Sequence, residues 1–515
     1  MLKYVIMMLL NESQGCFDMM ECSELIPIGA GTGDPRFDFS DEDIRLAVKQ
    51  GKLLSAELEL TRACNYRCIY CYAAEPGGVD VSNELTFDEI CNILDQVAEL
   101  GARKIILLGG EPLIYPRLKE VLDHIYNKGM VAEIFTNGAL VTDKMAEMLA
   151  SYPVRMIVKL NTMDPELHDR LTGMKGSLDI SFRAIERLKN AGYDKLKNML
   201  GATTILATSN LAEAAGMRRW MREQDLLPYF EVITPQGRIL ENQTMIPPAS
   251  AVYDTFVKLA EIDREYGIEW DPQPPIAGGK CFRHQYSCVI GSCGVVTPCV
   301  GLTAEIGNVR ETPLATILSE SLILYHLKNY RQFIKGPCAK CDKAEHCYGC
   351  RGAAYQVTGD YLASDPTCWR NTDKLDQIKC LPISSKGMLP HDGPMLFVDE
   401  LLEVGEKSSV SRSVIRKDNP FLHADGTAGR EVLVEYAAQT AALMDSLEHD
   451  GKVSPGMLVE VQKFNINGAA KVGDEIRVNL KKEYDLDIWH GVSVRIHVNG
   501  TEIAEGQLKL CIFDS

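Results

Sequence analysis

The chain has 515 residues, of which 46% are hydrophobic and 24% charged, with 71 Asp and Glu against 54 Lys and Arg for a formal net charge of −17. That length exceeds what one hydrophobic core supports and predicts about three domains. The acidity excludes the basic face of a nucleic-acid binder but names no partner.

In chain order, residues 1–52 read as an N-terminal extension without a clear period. Lys3 followed by Tyr4–Leu10 imitates a signal peptide, but no small-residue cleavage site follows. Gly29–Gly33 reads as a linker. From residue 53, apolar β-type runs at 54–60, 103–108, 130–136, 154–160, 200–206 and 229–233 alternate with amphipathic helical patterns at 87–100, 117–127, 143–150, 178–190 and 211–223. Such alternation predicts parallel βα units joined by right-handed crossovers. Six of them make an open partial barrel, class α/β, over 53–270, with its site at the C-terminal strand ends.

Pro272, Pro274, Pro275, Gly278 and Gly279 break this pattern. A cysteine-rich segment occupies 271–380. Residues 384–515 then show one long helical run (431–449) among extended runs at 395–404, 408–416, 457–466, 475–484, 492–498 and 502–513, an α+β domain of about 130 residues. No stretch reaches the length of a bilayer span, so no membrane span is expected. Seventeen cysteines clustered in short spacings point to metal in a reducing, cytoplasmic and oxygen-poor setting rather than to a secreted disulfide framework. Cys16, Cys22, Cys91, Cys380 and Cys511 stand alone and read as small buried hydrophobes.

Cys64, Cys68 and Cys71 follow strand one in a C-x3-C-x2-C loop. Three thiolates at this spacing can hold three irons of a [4Fe–4S] cubane and leave the fourth open for chemistry. With Tyr70 before the last cysteine, the loop resembles that of the radical S-adenosylmethionine (SAM) superfamily. Strand two runs into Gly109-Gly110-Glu111-Pro112, where glycines permit close backbone approach to a ligand. In that family a GGEP stretch contacts the methionyl amino group of SAM. Thr136-Asn137-Gly138 resembles the family's TNG turn. At the end of strand four many relatives carry Ser-Leu-Asp-Gly, whereas this chain has Lys159-Leu160-Asn161-Thr162. Pro235-Gln236-Gly237-Arg238 resembles a P-x-G-R stretch without a firm role. The resemblance implies a cluster whose open iron chelates SAM and, on reduction, yields a 5′-deoxyadenosyl radical that takes hydrogen from a substrate C–H bond.

The later cysteines resemble the SPASM extension of these enzymes, which holds two auxiliary [4Fe–4S] clusters. Carried over by residue, Cys281, Cys299 and Cys350 bind the first, with Cys288 as fourth ligand and Cys293 as its competitor. Cys338, Cys341, Cys347 and Cys368 hold the second. The alternative reading of these four is a zinc ribbon.

Leu389-Pro390-His391-Asp392-Gly393-Pro394 through Asp399, together with Asn419-Pro420-Phe421-Leu422 and the helical Val434-Glu435-Tyr436-Ala437-Ala438-Gln439, resembles 3-hydroxyacyl-carrier-protein dehydratases of the hot-dog fold. That implies a helix acid, Glu435, working with a histidine. The relatives' histidine loop is shortened here, leaving His423 and His391 as candidates.

Three functions stand open. The first is a radical SAM oxidoreductase or rearrangement enzyme acting on an acyl group linked to a carrier protein. The second is a peptide maturase whose hot-dog domain dimerises or docks. The third is a non-catalytic iron–sulfur protein. The expected partners are a flavodoxin- or ferredoxin-type electron donor, an acyl carrier protein and a second copy through the hot-dog domain, with no nucleic acid.

Overall fold

The computed structural model describes residues 35–73, 81–195, 199–378, 380–405, 407–448, 456–486 and 488–512. The apolar run at Tyr4–Leu10, the glycines at 29–33, Cys16 and Cys22 lie outside the described residues.

Strands β1 (Ser55–Glu59), β2 (Lys104–Leu108), β3 (Val131–Thr136), β4 (Val154–Lys159), β5 (Leu200–Leu206) and β6 (Leu227–Val232) follow one another in parallel in a single sheet. Their apolar outer faces bury into a core with the helices between them, among them Ile105, Leu107, Ile134, Met156, Val158 and Ala202. Helix starts follow local chemistry: Thr86 closes a capping box on the helix Phe87–Glu99, and Thr142 caps Asp143–Ala150.

Two helices depart from the sequence expectation. Ala249–Glu265 extends the barrel beyond β6. Pro165–Thr172 is only 8 residues long and offers just Leu167 and Leu171 as large apolar residues. So short a stripe is invisible to periodicity; its Asp164 cap and Pro165 at the first position are what start it.

The proline-rich break near 272 is not a break in the sheet. Strand β7 (Ile276–Ala277) pairs antiparallel with β6, while β8 (Val289–Ile290) pairs parallel with β1 and leads through β9 (Val295–Thr297) to β10 (Gly307–Asn308). The cysteine-rich segment thus extends the barrel sheet at both edges, in the order β10-β9-β8-β1-β2-β3-β4-β5-β6-β7.

The inner side is ionic. Glu133 bonds Lys104 (3.4 Å) and Arg155 (3.1 Å), and Arg155 reaches Asp38 at 3.0 Å. A cavity at the N-terminal strand ends is lined by Ser55, Lys104, Glu133, Arg155, Tyr229 and Tyr286, with Phe37 and Phe39 closing over it. Lys104 Nζ donates to the Phe37 carbonyl (2.9 Å) and so anchors that closing segment.

A second, fully antiparallel sheet follows. It comprises β11 (Ile383–Ser384), β12 (Glu400–Val404), β13 (Ser408–Val414), β14 (Gly456–Ile466), β15 (Glu475–Leu486), β16 (Trp489–Val498) and β17 (Thr501–Ile512), ordered β11-β12-β13-β15-β16-β17-β14. The helix Arg430–Glu448 lies against it. Tyr436, Ala437, Leu443 and Met444 share a core with Ile476, Val478, Val494 and Leu508. Alternation along β15 puts Ile476, Val478 and Leu480 inward. On β13 the inward set is Ser409, Ser411 and Ser413, small enough to admit the helix, with Ser411 bonding Thr440 at 2.7 Å. One helix wrapped by a curved antiparallel sheet is the hot-dog arrangement expected. Among the described residues no helix is long and apolar enough to cross a membrane.

Candidate functional site

The loop carrying Cys64, Cys68 and Cys71 is fixed from four sides. Gly110 N–H donates to the Thr61 carbonyl (2.7 Å) and Glu111 N–H to the Ala63 carbonyl (2.9 Å). Arg67 and Ile69 donate to the Thr172 and Leu171 carbonyls at the end of the short helix (both 3.1 Å). Arg238 N–H donates to the Cys71 carbonyl (3.0 Å), and its guanidinium donates to the Cys68 carbonyl (2.8 Å). Glu84 accepts from Thr61 and from Arg62 N–H, closing the loop's start. P-x-G-R and the short helix, given no firm role or missed from sequence, are therefore brackets of the cysteine loop.

This geometry revises the role of the glycines. A Cβ on Gly109, whose φ is +126°, would sit 2.2 Å from the Thr61 carbonyl oxygen, and one on Gly110 would sit 2.2 Å from that of Ala63. The glycines are needed because the cysteine loop's own backbone presses on them, rather than only because a ligand approaches. Gly110→Ala should therefore displace the loop. We expect a loss of about four irons per chain with an unchanged far-UV circular dichroism spectrum; full iron content would refute this.

Glu111 is 1% exposed. Its carboxylate accepts from Leu113 N–H (3.2 Å), Thr136 Oγ1 (2.7 Å) and Asn137 N–H (2.7 Å), tying the GGEP and TNG turns together. Burial pushes its carboxyl above the usual range, against the pull of these donors. Pro112 opens the single turn that Glu111 caps. Asn137 Nδ2 donates to Asn65 Oδ1 within the cysteine loop (2.7 Å). Asn161 and Lys159 both reach Tyr70: Asn161 Nδ2 donates to its hydroxyl at 2.5 Å, and the Lys159 ammonium lies 5.6 Å from its ring centre.

The three thiols face one another closely enough to interact. Burial pushes Cys68 up to about 11, with Cys71 and Cys64 adding to the rise and Lys159 opposing it. Partly buried thiols set this close together are a donor set that a bound cation makes favourable as thiolates. Backbone donors wait on several sulfurs: Tyr66 N–H on Cys64 (3.4 Å), Leu302 N–H on Cys299 (3.3 Å), Gly349 N–H on Cys347 (3.3 Å) and Ala353 N–H on Cys350 (3.3 Å). Such donors stabilise sulfur ligands of a cluster.

Two further groups form. Burial raises the Cys350 thiol, with Asp365, Cys281 and Cys299 adding to it, and Cys299 rises to about 12 beside Cys281. Cys281, Cys299 and Cys350 therefore converge. Cys288 does not join them: it lies in the barrel core, and its charged neighbours are Glu57 and Lys328. The side chain preceding β8 points into the hydrophobic layer, which spacing alone could not reveal. Cys293 lies instead by Arg310. Cys338, Cys341, Cys347 and Cys368 line one small cavity with Trp369 and Asn371, and Asn371 Nδ2 donates to the Cys338 sulfur (3.3 Å). All three groups fit iron–sulfur clusters by their donor chemistry.

In the hot-dog domain His391 Nε2 stands 3.7 Å from Glu435 Oε1. Gln439 holds this acid: its Nε2 donates to Glu435 Oε1 and to the Met395 carbonyl (both 2.8 Å), while its Oε1 accepts from Phe397 N–H (2.9 Å). His391 Nδ1 is buried without a partner. His423 is exposed in the tight turn before the helix, bonded through its backbone to Thr427. Of the two candidate histidines, the structure brings His391 to the acid.

Comparison with known proteins agrees with this layout. The radical SAM superfamily profile matches residues 58–220, the SPASM iron–sulfur cluster-binding domain 281–350 and the ApeP dehydratase profile 383–513. The chain is 29% identical to an AdoMet-dependent heme synthase of Methanosarcina barkeri, over 60% of this chain and 94% of that one. It is 26% identical to a PqqA peptide cyclase of Granulibacter bethesdensis, over 60% and 85%. The solved structure of native anSMEcpe with bound AdoMet and the Kp18Cys peptide shares the fold at 15% identity and a TM-score of 0.50, covering 63% of this chain and 96% of that one. The cofactors are accordingly [4Fe–4S] clusters and SAM. The chain therefore carries a radical SAM domain, a SPASM iron–sulfur domain after it and a dehydratase-like hot-dog domain following both.

Proposed function

We propose that this enzyme is an oxidoreductase or rearrangement enzyme that takes hydrogen from a polar acyl group presented as a carrier thioester, and that its hot-dog domain works on the thioester end of the same substrate class. One observation carries this: the chain that holds a SAM-type cysteine loop also holds an assembled His391–Glu435 pair. Cys64, Cys68 and Cys71 would hold the SAM-site cluster, which when loaded supplies a 5′-deoxyadenosyl radical. Cys281, Cys299 and Cys350 would serve one auxiliary cluster, and Cys338, Cys341, Cys347 and Cys368 the other.

The barrel residues bind and orient. Arg283 joins Glu57 Oε1 (3.3 Å) and the Tyr229 hydroxyl, leaving Glu57 Oε2 buried without a partner. Burial pushes both Glu57 and Glu231 above the usual carboxyl range, with Arg283 opposing the rise. Acids held toward the neutral form can donate to a substrate carbonyl. A bare alkyl chain would leave Glu57 Oε2 unpaired, which favours an oxygenated or amide-bearing substrate.

In the hot-dog site His391 would remove the proton beside the thioester carbonyl, while Glu435, oriented by Gln439, would protonate the departing β-hydroxyl; the products are an enoyl thioester and water. The edge strand β14 exposes Met457, Leu458, Val459 and Val461, which supports pairing with a second copy. A flavodoxin- or ferredoxin-type donor supplies electrons, and the reducing setting is cytoplasmic. The same polar lumen also favours a peptide substrate, the second reading.

Anaerobic incubation of the iron-loaded full chain with dithionite and SAM should produce 5′-deoxyadenosine. Mass spectrometry of acyl carrier proteins and of peptides from the same incubation should show the mass change on the carrier. A change confined to peptides would replace the first reading with the second, and no 5′-deoxyadenosine at all would defeat both.

A further inference from the structure

The barrel's other mouth, at the N-terminal strand ends, holds charges that the cysteine loop does not use. Lys104, Glu133 and Arg155 come from the adjacent strands β2, β3 and β4, with Glu133 and Arg155 as register partners. The Arg155 side chain is 4% exposed. Its Nη1 donates to Glu133 Oε2 (3.1 Å), and its Nη2 donates to both carboxylate oxygens of Asp38 (3.0 Å). Lys104 shares the same Glu133 at 3.4 Å. One barrel carboxylate thus serves two buried cations, and Asp38 supplies a second from outside the sheet.

The segment that brings Asp38 is held in the same way. Arg155 lies 4.9 Å from the Phe37 ring centre, and Arg103 and Lys104 lie 5.2 and 5.3 Å from that of Phe39. Arg103 also donates to the Pro35 carbonyl (3.2 Å), and Lys104 to that of Phe37 (2.9 Å). Phe39 meets Tyr286 edge-on at 5.9 Å. A structural plug would bury apolar side chains against apolar neighbours, whereas this one sets a carboxylate and two rings against cations. Beneath it remains a cavity of about 500 Å³, walled by Tyr229, Trp270, Phe282 and Tyr286. That volume lies in the range of small-molecule sites.

We propose that this chamber binds a small organic carboxylate carrying a ring, and that Phe37-Asp38-Phe39 is its built-in competitor. The ligand's carboxylate would take Arg155 Nη2 from Asp38, and its ring would lie among Trp270, Phe282 and Tyr286. The exchange keeps the buried charge paired, because one carboxylate leaves Arg155 as another arrives, and Asp38 passes to water. Being tethered, Asp38 competes at an effective concentration in the millimolar range, so a dilute or neutral ligand leaves the chamber closed. The site stands at the opposite strand ends from the cysteine loop and does not depend on the carrier-thioester reading.

The test is isothermal titration calorimetry of the iron-loaded full chain, without SAM, using phenylpropanoate and its neutral isostere phenylpropanamide. Wild type should bind the carboxylate about tenfold more tightly than the amide, the worth of one hydrogen bond to a charged group. Asp38→Asn should tighten the carboxylate about tenfold further by weakening the tethered competitor. Arg155→Gln should abolish the preference for carboxylate. Arg155→Lys, which keeps a charge for Glu133 and so guards against misfolding, should weaken it. Hydrogen exchange of the backbone amides at 36–40 should quicken in wild type when the carboxylate is added. Equal affinity for carboxylate and amide, no heat with either in both wild type and Asp38→Asn, or weaker carboxylate binding in Asp38→Asn would overturn the site. Carboxylate binding without faster exchange at 36–40 would put the ligand elsewhere and overturn it as well.

Discussion

Cys68→Ala should abolish 5′-deoxyadenosine formation and remove about four irons per chain, while the iron held by the other cysteines stays. The middle cysteine is the one whose loss the loop cannot absorb. Its carbonyl is held by Arg238 and its neighbours Arg67 and Ile69 by the short helix, so no adjacent sulfur can swing into its place. Two thiolates would then face a cluster that needs three, and the open position would no longer be the defined one at which SAM is bound. Iron analysis and chromatography of the nucleoside products check this together. Wild-type product from the variant would sink the assignment of this loop. Full iron with no product would leave the cluster in place and move the defect to SAM binding.

His391→Ala or Glu435→Gln should lower dehydration of a 3-hydroxyacyl-carrier thioester by about 10²- to 10⁴-fold, the usual contribution of a positioned acid or base. His423→Ala should leave it within twofold of wild type, because His423 is exposed in its turn rather than set against the acid. None of the three changes should touch 5′-deoxyadenosine formation, since the cysteine loop follows a strand of the first sheet whereas His391 and Glu435 lie among the elements of the second. Enoyl-thioester appearance, followed by mass spectrometry of the carrier protein, separates these outcomes. Equal loss in His423→Ala and His391→Ala would refute the pairing seen here. Full activity in all three would reduce the domain to binding or dimerisation.

Much of the architecture was legible because its patterns are local. Each of the six barrel strands lies within two residues of its expected start, since β-branched runs between amphipathic helices leave few alternatives. The helix Arg430–Glu448 and the long strands around it were equally plain. The short helix Pro165–Thr172 was not, having too few apolar residues to show a period. The proline-rich stretch near 272 looked like a boundary because proline interrupts patterns. Which sheet the following strands join is a matter of long-range pairing that no local pattern carries.

The cysteine loop, the GGEP turn and Glu435 as a candidate helix acid were legible in the sequence alone, because such readings depend on residue type at fixed short spacing. Only the tertiary structure decided among residues far apart in the chain. It set Cys288 in the core and apart from Cys281, Cys299 and Cys350. It also chose His391 over His423 as the partner of Glu435, and brought Lys159 and Asn161 to Tyr70. The physical reason is common to all three: a side chain's partner is set by which strands are neighbours and which face it takes, and both depend on pairing across tens to hundreds of residues.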